Sequence, residues 1–216
     1  HCVRPGIVAV TFDDIPDREI FDLLDLLNKF NATATFFTNG PSIYPERDLA
    51  NYLKEIHRRG HQIGSHTWSH HNISTIDQNV LTEEMNRLDA YLDLVISQKP
   101  AFMRPPYGWC NISCSTFLQH TLGFHVVGFT LETWDWHYNT TSTVQGSLDI
   151  VHAYLRERED RMPLEEYRSG IVLMHMGYQT TVEYVAPLVL ESFSQKGFRF
   201  VSVAECLGLG PESWYR

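Results

Sequence analysis

The sequence predicts a parallel-sheet α/β fold, and three observations carry that prediction. Short apolar runs alternate with longer stretches of helical periodicity, the mark of successive strand-helix rounds. About seven such rounds can be counted. The 216 residues suit one well-cored domain spanning 1–216, and no internal repeat, low-complexity stretch or linker divides them.

The elements follow in order. Gly6 to Phe12 opens the sheet. Asp17 to Phe30 then sets Ile20, Leu23, Leu24, Leu27 and Phe30 on one helical face, with Asp17 as N-cap. Ala32 to Phe37 is the second strand. Pro45 to Arg59 is a helix opened by proline and closed by Gly60, which can take positive φ. His61 to Ser65 and Gln78 to Ile96 make the third round, and Ala101 to Arg104 with Ser115 to Leu122 the fourth. Phe124 to Leu131 leads to Thr143 to Glu157, Gly170 to Met174 to Val182 to Lys196, and Phe198 to Val203 is the seventh strand. Arg156 to Glu166 reads as a charged, solvated connection.

Composition narrows the function classes. Hydrophobic residues make up 43% and charged residues 20%, as in ordinary globular proteins. No apolar run approaches the roughly 18 residues of a membrane helix. A net charge of -9 argues against nucleic acid and anionic membranes as partners, and favours a neutral or cationic substrate. Nothing calls for more than a monomer.

Cysteine and asparagine usage speaks to compartment. Cys2 and Cys206 lie near the ends, Cys110 and Cys114 close together, and four cysteines allow three pairings. Ends with ends and near with near strains the topology least, and closing a loop of about 200 residues would stabilise by roughly 4 to 5 kcal/mol. Four reduced, buried cysteines are the alternative. Asn31, Asn72, Asn111 and Asn139 each begin an N-x-[ST] acceptor. Together these features predict a eukaryotic secreted or cell-wall-associated protein.

Reactive side chains recur where strands end, which is where barrel enzymes place their chemistry. The first strand runs into Asp13-Asp14, the third into His66-Thr67-Trp68-Ser69-His70, and the fourth into Arg104-Pro105-Pro106-Tyr107-Gly108. The fifth leads to Glu132-Thr133-Trp134-Asp135-Trp136 and the sixth to Leu173-Met174-His175. Two histidines four residues apart can reach one metal ion, with Asp14 as an oxygen ligand that leaves the site open to water. Each signal alone has a plainer meaning. An Asp-Asp pair can cap a helix, Arg104 can be a surface arginine, and His175, Trp134 and Trp136 can be core. With eleven histidines in the chain, His57, His61 and His71 lie near the candidate pair as well.

Taken together, the motifs TFDD, HTWSH, RPPYG, Asp135-Trp136 and Leu173-x-His175 resemble the NodB-homology domain of carbohydrate esterase family 4, the chitin and peptidoglycan deacetylases. The resemblance covers nearly the whole chain, and the cysteine positions are similar to the fungal chitin deacetylase branch. It implies a distorted (β/α) barrel with about seven parallel strands. It also implies metal-dependent hydrolysis of N-acetyl groups on chitin or another N-acetylated glycan. Asp14, His66 and His70 become the metal ligands, zinc the expected ion and cobalt another candidate. Asp13 becomes the general base, positioned by Arg104, and His175 the general acid, oriented by Asp135. The backbone N–H of Tyr107 would face the oxyanion, and Trp136 and Leu173 would form the groove wall and the pocket for the acetyl methyl group.

Two residues depart from the family pattern. Ile15 stands where glycine normally follows the Asp pair, and Glu132 occupies the first acidic position of the fourth motif. Ile15 precedes Pro16, which restricts it to extended backbone, and its bulk is expected beside the metal loop, where it would impair activity. A weakly active or inactive carbohydrate-binding homologue, and a metallohydrolase of some other small amide, are the competing readings.

Overall fold

The computed structural model describes residues 1–159 and 170–216. Residues 160–166 of the expected charged connection lie outside them. The strands are β1 (Ile7–Asp13), β2 (Thr35–Thr38), β3 (Gln62–Ser65), β4 (Phe102–Met103), β5 (His125–Val126), β6 (Leu131–Glu132), β7 (Ile171–His175) and β8 (Arg199–Val201). The helices are α1 (Ile20–Lys29), α2 (Leu49–Arg58), α3 (Gln78–Ile96), α4 (Ile112–His120), α5 (Gln145–Glu159), α6 (Ala186–Gln195) and α7 (Val203–Cys206).

All strand pairings are parallel, in the order β5-β4-β3-β2-β1-β7-β6, with β8 against the first half of β1. The sheet curls into the expected distorted barrel, left open between its edges β5 and β6. The expected fifth strand is broken at that seam. Val127 N–H bonds the Met103 carbonyl on one side, Thr130 N–H bonds the Ile171 carbonyl on the other, and the residues between cross the gap.

Strand β1 shows why the site forms where it does. All seven of its residues are buried, which hides the period of two. The alternation persists in the packing. Val8, Val10 and Phe12 join Leu23, Leu24, Leu27, Leu53 and Leu190 between sheet and helices, each side chain contributing roughly 1.5–3 kcal/mol on full burial. Ile7 and Ala9 face the barrel interior with Val127, Ile171, Val201, Val203 and Ala204. The same interior face continues through Thr11 to Asp13, so it turns from apolar to charged toward the carboxyl end. Asp13 lies in register with His175 of β7, which shares that face.

Several boundaries differ from expectation because side-chain caps decide them. Helix α2 starts at Leu49 rather than Pro45, since the Asp48 side chain accepts the Asn51 N–H. Asp17 does not cap α1; its carboxylate takes the Arg18 N–H and pairs with Arg47. Helix α4 starts earlier than expected, behind the Asn111 cap on Cys114 N–H.

The Cys2–Cys206 disulfide is formed and closes the amino end of the barrel beneath α7. Cys110 and Cys114 are free thiols in this structure. Their Sγ atoms lie 2.7 Å apart, longer than the ~2.05 Å of a bond and closer than two unbonded sulfur atoms approach, so the expected partners face each other. No helix among the described residues is long and apolar enough to cross a membrane.

Candidate active site and metal centre

The strand ends converge on a cleft of about 480 Å³ whose walls include Asp13, Asp14, His66, His70, Arg104, Tyr107, Trp136, Leu173 and His175. Asp135 lies behind His175, fully buried. Every candidate residue expected at the site is thus brought to one place. His57 and His71 stay outside the cleft, and His61 is a buried core histidine whose Nδ1 accepts the Ala34 N–H.

Asp14, His66 and His70 offer ligand atoms within 4.8 Å of one another. Asp14 Oδ1 is 3.7 Å from His66 Nε2 and 3.4 Å from His70 Nε2. Tetrahedral bonds of 2.0–2.2 Å put donor atoms about 3.4 Å apart, so the set fits an ion such as zinc. The tautomer fits too. His66 Nδ1 is 2.7 Å from the Arg104 carbonyl, which can only accept, so Nδ1 carries the hydrogen and Nε2 presents its lone pair. Burial, then the neighbouring His66, holds His70 below the usual imidazole range, favouring the neutral ring a metal requires.

The loop between the two histidines is strained and braced. Thr67 and His70 have φ of 66° and 59°, outliers for residues with side chains. Asn39, at the end of β2, donates from Nδ2 to the carbonyls of His66 and Thr67. Glu84 of α3, buried, accepts the Ser69 N–H at 2.8 Å and its hydroxyl at 2.6 Å. Neither Asn39 nor Glu84 belongs to a motif. The signal that could have found Asn39 is a polar residue directly following an apolar strand.

Asp13 and Arg104 form a buried ion pair. Arg104 Nη1 donates to Asp13 Oδ1 at 2.8 Å and to Thr11 Oγ1 at 2.7 Å, Nη2 reaches the Gly128 carbonyl, and the guanidinium lies 4.5 Å from the Phe37 ring centre. Burial pushes Arg104 down and Asp13 opposes it; an arginine starts so high that it stays charged. The second oxygen, Asp13 Oδ2, faces the metal triad, 3.9 Å from His66 Nε2.

Beside Asp13 on the neighbouring strand, His175 is gripped twice by Asp135, through its backbone N–H at 2.7 Å and Nδ1 at 2.8 Å, and Asp135 also accepts the Thr181 hydroxyl at 2.7 Å. Burial alone would depress the His175 value, but the Asp135 charge and hydrogen bond, then Asp14 and Asp13, raise it to about 9. For Asp135 burial pulls upward, while His175 and Thr181 bring it below the usual carboxylate range. The pairing with Asp135 therefore favours the protonated form of His175.

Aromatic faces line the approach. Tyr107, Trp109, Phe129, Trp134 and Trp136 are all exposed there, Tyr107 with its ring edge against His70. Trp134, at φ 56°, stacks beside Trp136 with centroids 5.4 Å apart, and Trp136 Nε1 donates to Glu132. Neither tryptophan is core. Ile15 departs from expectation in the opposite sense: it is 1% exposed and packs in the main core, bordering a smaller hollow of about 270 Å³ with Asp14, His70 and Tyr107 rather than the cleft itself. The positive φ in this loop falls on Asp14 (77°), not on Ile15.

Comparison with known proteins agrees with this geometry. The polysaccharide deacetylase family profile matches residues 1–127. A chitin deacetylase from Arthroderma benhamiae is 32% identical over all of this chain, which spans 56% of that relative's length. A chitin deacetylase from Colletotrichum lindemuthianum is 31% identical, with all of this chain matching 85% of it. The solved structure of the chitin deacetylase from that fungus superposes with a TM-score of 0.88 at 30% identity, covering 100% of this chain and 93% of that one.

Proposed function

Because the chain belongs to the polysaccharide deacetylase family, we propose that it hydrolyses N-acetyl groups on N-acetylglucosamine residues of chitin, releasing acetate and leaving free amines. The observation that supports this most is the gathering of a metal-fitting triad with a carboxylate and an imidazole, in register on neighbouring strands, in one cleft. Asp14, His66 and His70 would hold one divalent ion, zinc by donor type. When bound it supplies Lewis-acid activation of water and of the acetamide carbonyl.

The remaining chemistry belongs to the chain. Asp13, fixed by Arg104, accepts the proton of the attacking water as its oxygen bonds to the acetyl carbon. The Tyr107 backbone N–H stabilises the developing oxyanion. His175, charged through Asp135, then donates its proton to nitrogen as the carbon-nitrogen bond breaks, giving acetate and an amine. Leu173 lines the floor that receives the methyl group, and the exposed aromatic rings, Trp136 foremost, offer flat amphipathic faces to neighbouring sugars.

Chitin is preferred to peptidoglycan because three relatives named chitin deacetylases match along this whole chain at 31–32% identity, against 30% for a relative from Arthroderma benhamiae named a probable peptidoglycan deacetylase. The Cys2–Cys206 disulfide and four glycosylation acceptors support a secreted or cell-wall location. The test is acetate release from chitooligosaccharides and from peptidoglycan fragments. Release from the former is expected to be faster; release from neither would reject the reading.

A further inference from the structure

Arg47 is absorbed by none of the roles above, yet it joins three of the loops that carry the chemistry. It sits in the connection between β2 and α2, with a side chain 17% exposed. Its Nη1 donates to the Ile15 carbonyl at 2.8 Å, its Nε lies 3.2 Å from Asp17 Oδ2, and its guanidinium stacks 4.1 Å from the centre of the Tyr44 ring. The third loop is the one after β7. A Cβ built on Gly177 would lie 2.9 Å from Arg47 Nη1 and 3.2 Å from the Ile15 carbonyl oxygen. Gly177, at φ 80°, is therefore the small residue that lets the arginine fit, two positions beyond His175.

We propose that Arg47 is a positioning residue that holds the Asp14-Ile15 turn in its strained form, and thereby holds Asp14 at the metal site. Asp14 has φ 77°, a conformation that costs a residue with a side chain of order 1–3 kcal/mol unless its surroundings fix it. The peptide after Ile15, which closes the turn, is fixed through its carbonyl oxygen. Arg47 supplies the donor, Asp17 anchors that donor from the far side of the turn, and the Tyr44 ring limits its swing. The arrangement also accounts for Ile15. The clamp needs only the backbone carbonyl at that position, and the side chain turns into the core, so a glycine is not required there.

The inference rests on Asp14, His66 and His70 binding a metal, and its test reads metal affinity directly. Wild type, Arg47→Ala, Arg47→Lys and Gly177→Ala are titrated with zinc in competition with a chromogenic chelator, with circular dichroism on each to establish folding. Arg47→Ala is expected to weaken zinc on the order of 10-fold, as partners of metal ligands do. Arg47→Lys, which keeps the charge but not the planar fork, should fall between. Gly177→Ala should weaken zinc by displacing the guanidinium. Equal affinity in wild type and a folded Arg47→Ala overturns the proposal. Should Arg47→Ala not fold, Arg47→Lys and Gly177→Ala decide it, and wild-type affinity in both overturns it. A wild type that binds no zinc instead overturns the metal-site reading beneath it.

Discussion

The two ends of the barrel follow opposite rules. At the amino end, α7 and the Cys2–Cys206 bond plug the interior with Ile7, Ala9, Val201, Val203 and Ala204, all buried. At the carboxyl end the same strands finish in charged, aromatic and conformationally strained residues. Seven non-glycine residues among those described have positive φ, and five of them, Asp14, Thr67, His70, Tyr107 and Trp134, lie at this rim. The difference teaches that strain is stored where the chemistry is, and that an ordinary apolar plug at the other end supports it. Cavity size would mislead here. The larger hollow, about 810 Å³, lies at the amino end beside Arg4, Glu205 and Trp214, and contains none of the motif residues.

If this division holds, changes at the amino end alter stability and changes at the rim alter turnover. Replacing Cys2 and Cys206 by serine should give the largest effect, a loss of about 4 to 5 kcal/mol in chemical denaturation, with acetate release per folded molecule little changed. A drop in turnover without loss of stability would break the comparison. Ile15 tests its border, since it adjoins the ligand Asp14 but packs in the core. Ile15→Gly should cost roughly 2–5 kcal/mol and bring no gain in rate, because the side chain does not face the cleft. Faster acetate release from the variant would restore the obstruction expected from sequence.

Within the rim, Asp13→Asn and His175→Ala should each lower kcat by about 10² or more while the far-ultraviolet spectrum stays native. Undiminished kcat in either variant would remove its assigned role. The smallest effect is a shift in pH profile. With Asp135 favouring the charged His175, the alkaline limb of kcat/KM should fall above the ordinary imidazole value of about 6.5. In Asp135→Asn the largest group offsetting burial is lost, so the limb should move toward acid; an unmoved limb would mean that Asp135 does not support the charged imidazole. The same pair contributes to stability in full below the ordinary His value of about 6.5, and that contribution fades as pH rises through about 9.

How much of this was legible in the sequence depends on the range of the interaction. The strand-helix rhythm and the residues ending each strand were readable, because burial pattern and motif spacing are local. The break between β5 and β6 was not, since Val127 and Thr130 bond to strands on opposite sides of the seam. The orientation of Ile15 was missed for a related reason. Sequence placed it beside Asp14, but which way it points is set by the core it reaches. Asn39, Glu84 and Arg47 act across 27 to 32 or 15 residues of chain on groups that no motif joins to them. Cys110 and Cys114 were read as a pair from spacing, a local signal, and their sulfurs face each other 2.7 Å apart.

The central claim is that Asp14, His66 and His70 hold a divalent ion on which deacetylation depends. It is tested most directly by stripping the protein with a chelator and following acetate release from chitooligosaccharides as zinc is returned. The account predicts negligible release from the stripped protein, rising to a plateau at one equivalent of metal per chain. Full release from the stripped protein, or none at any level of zinc or cobalt, would contradict it.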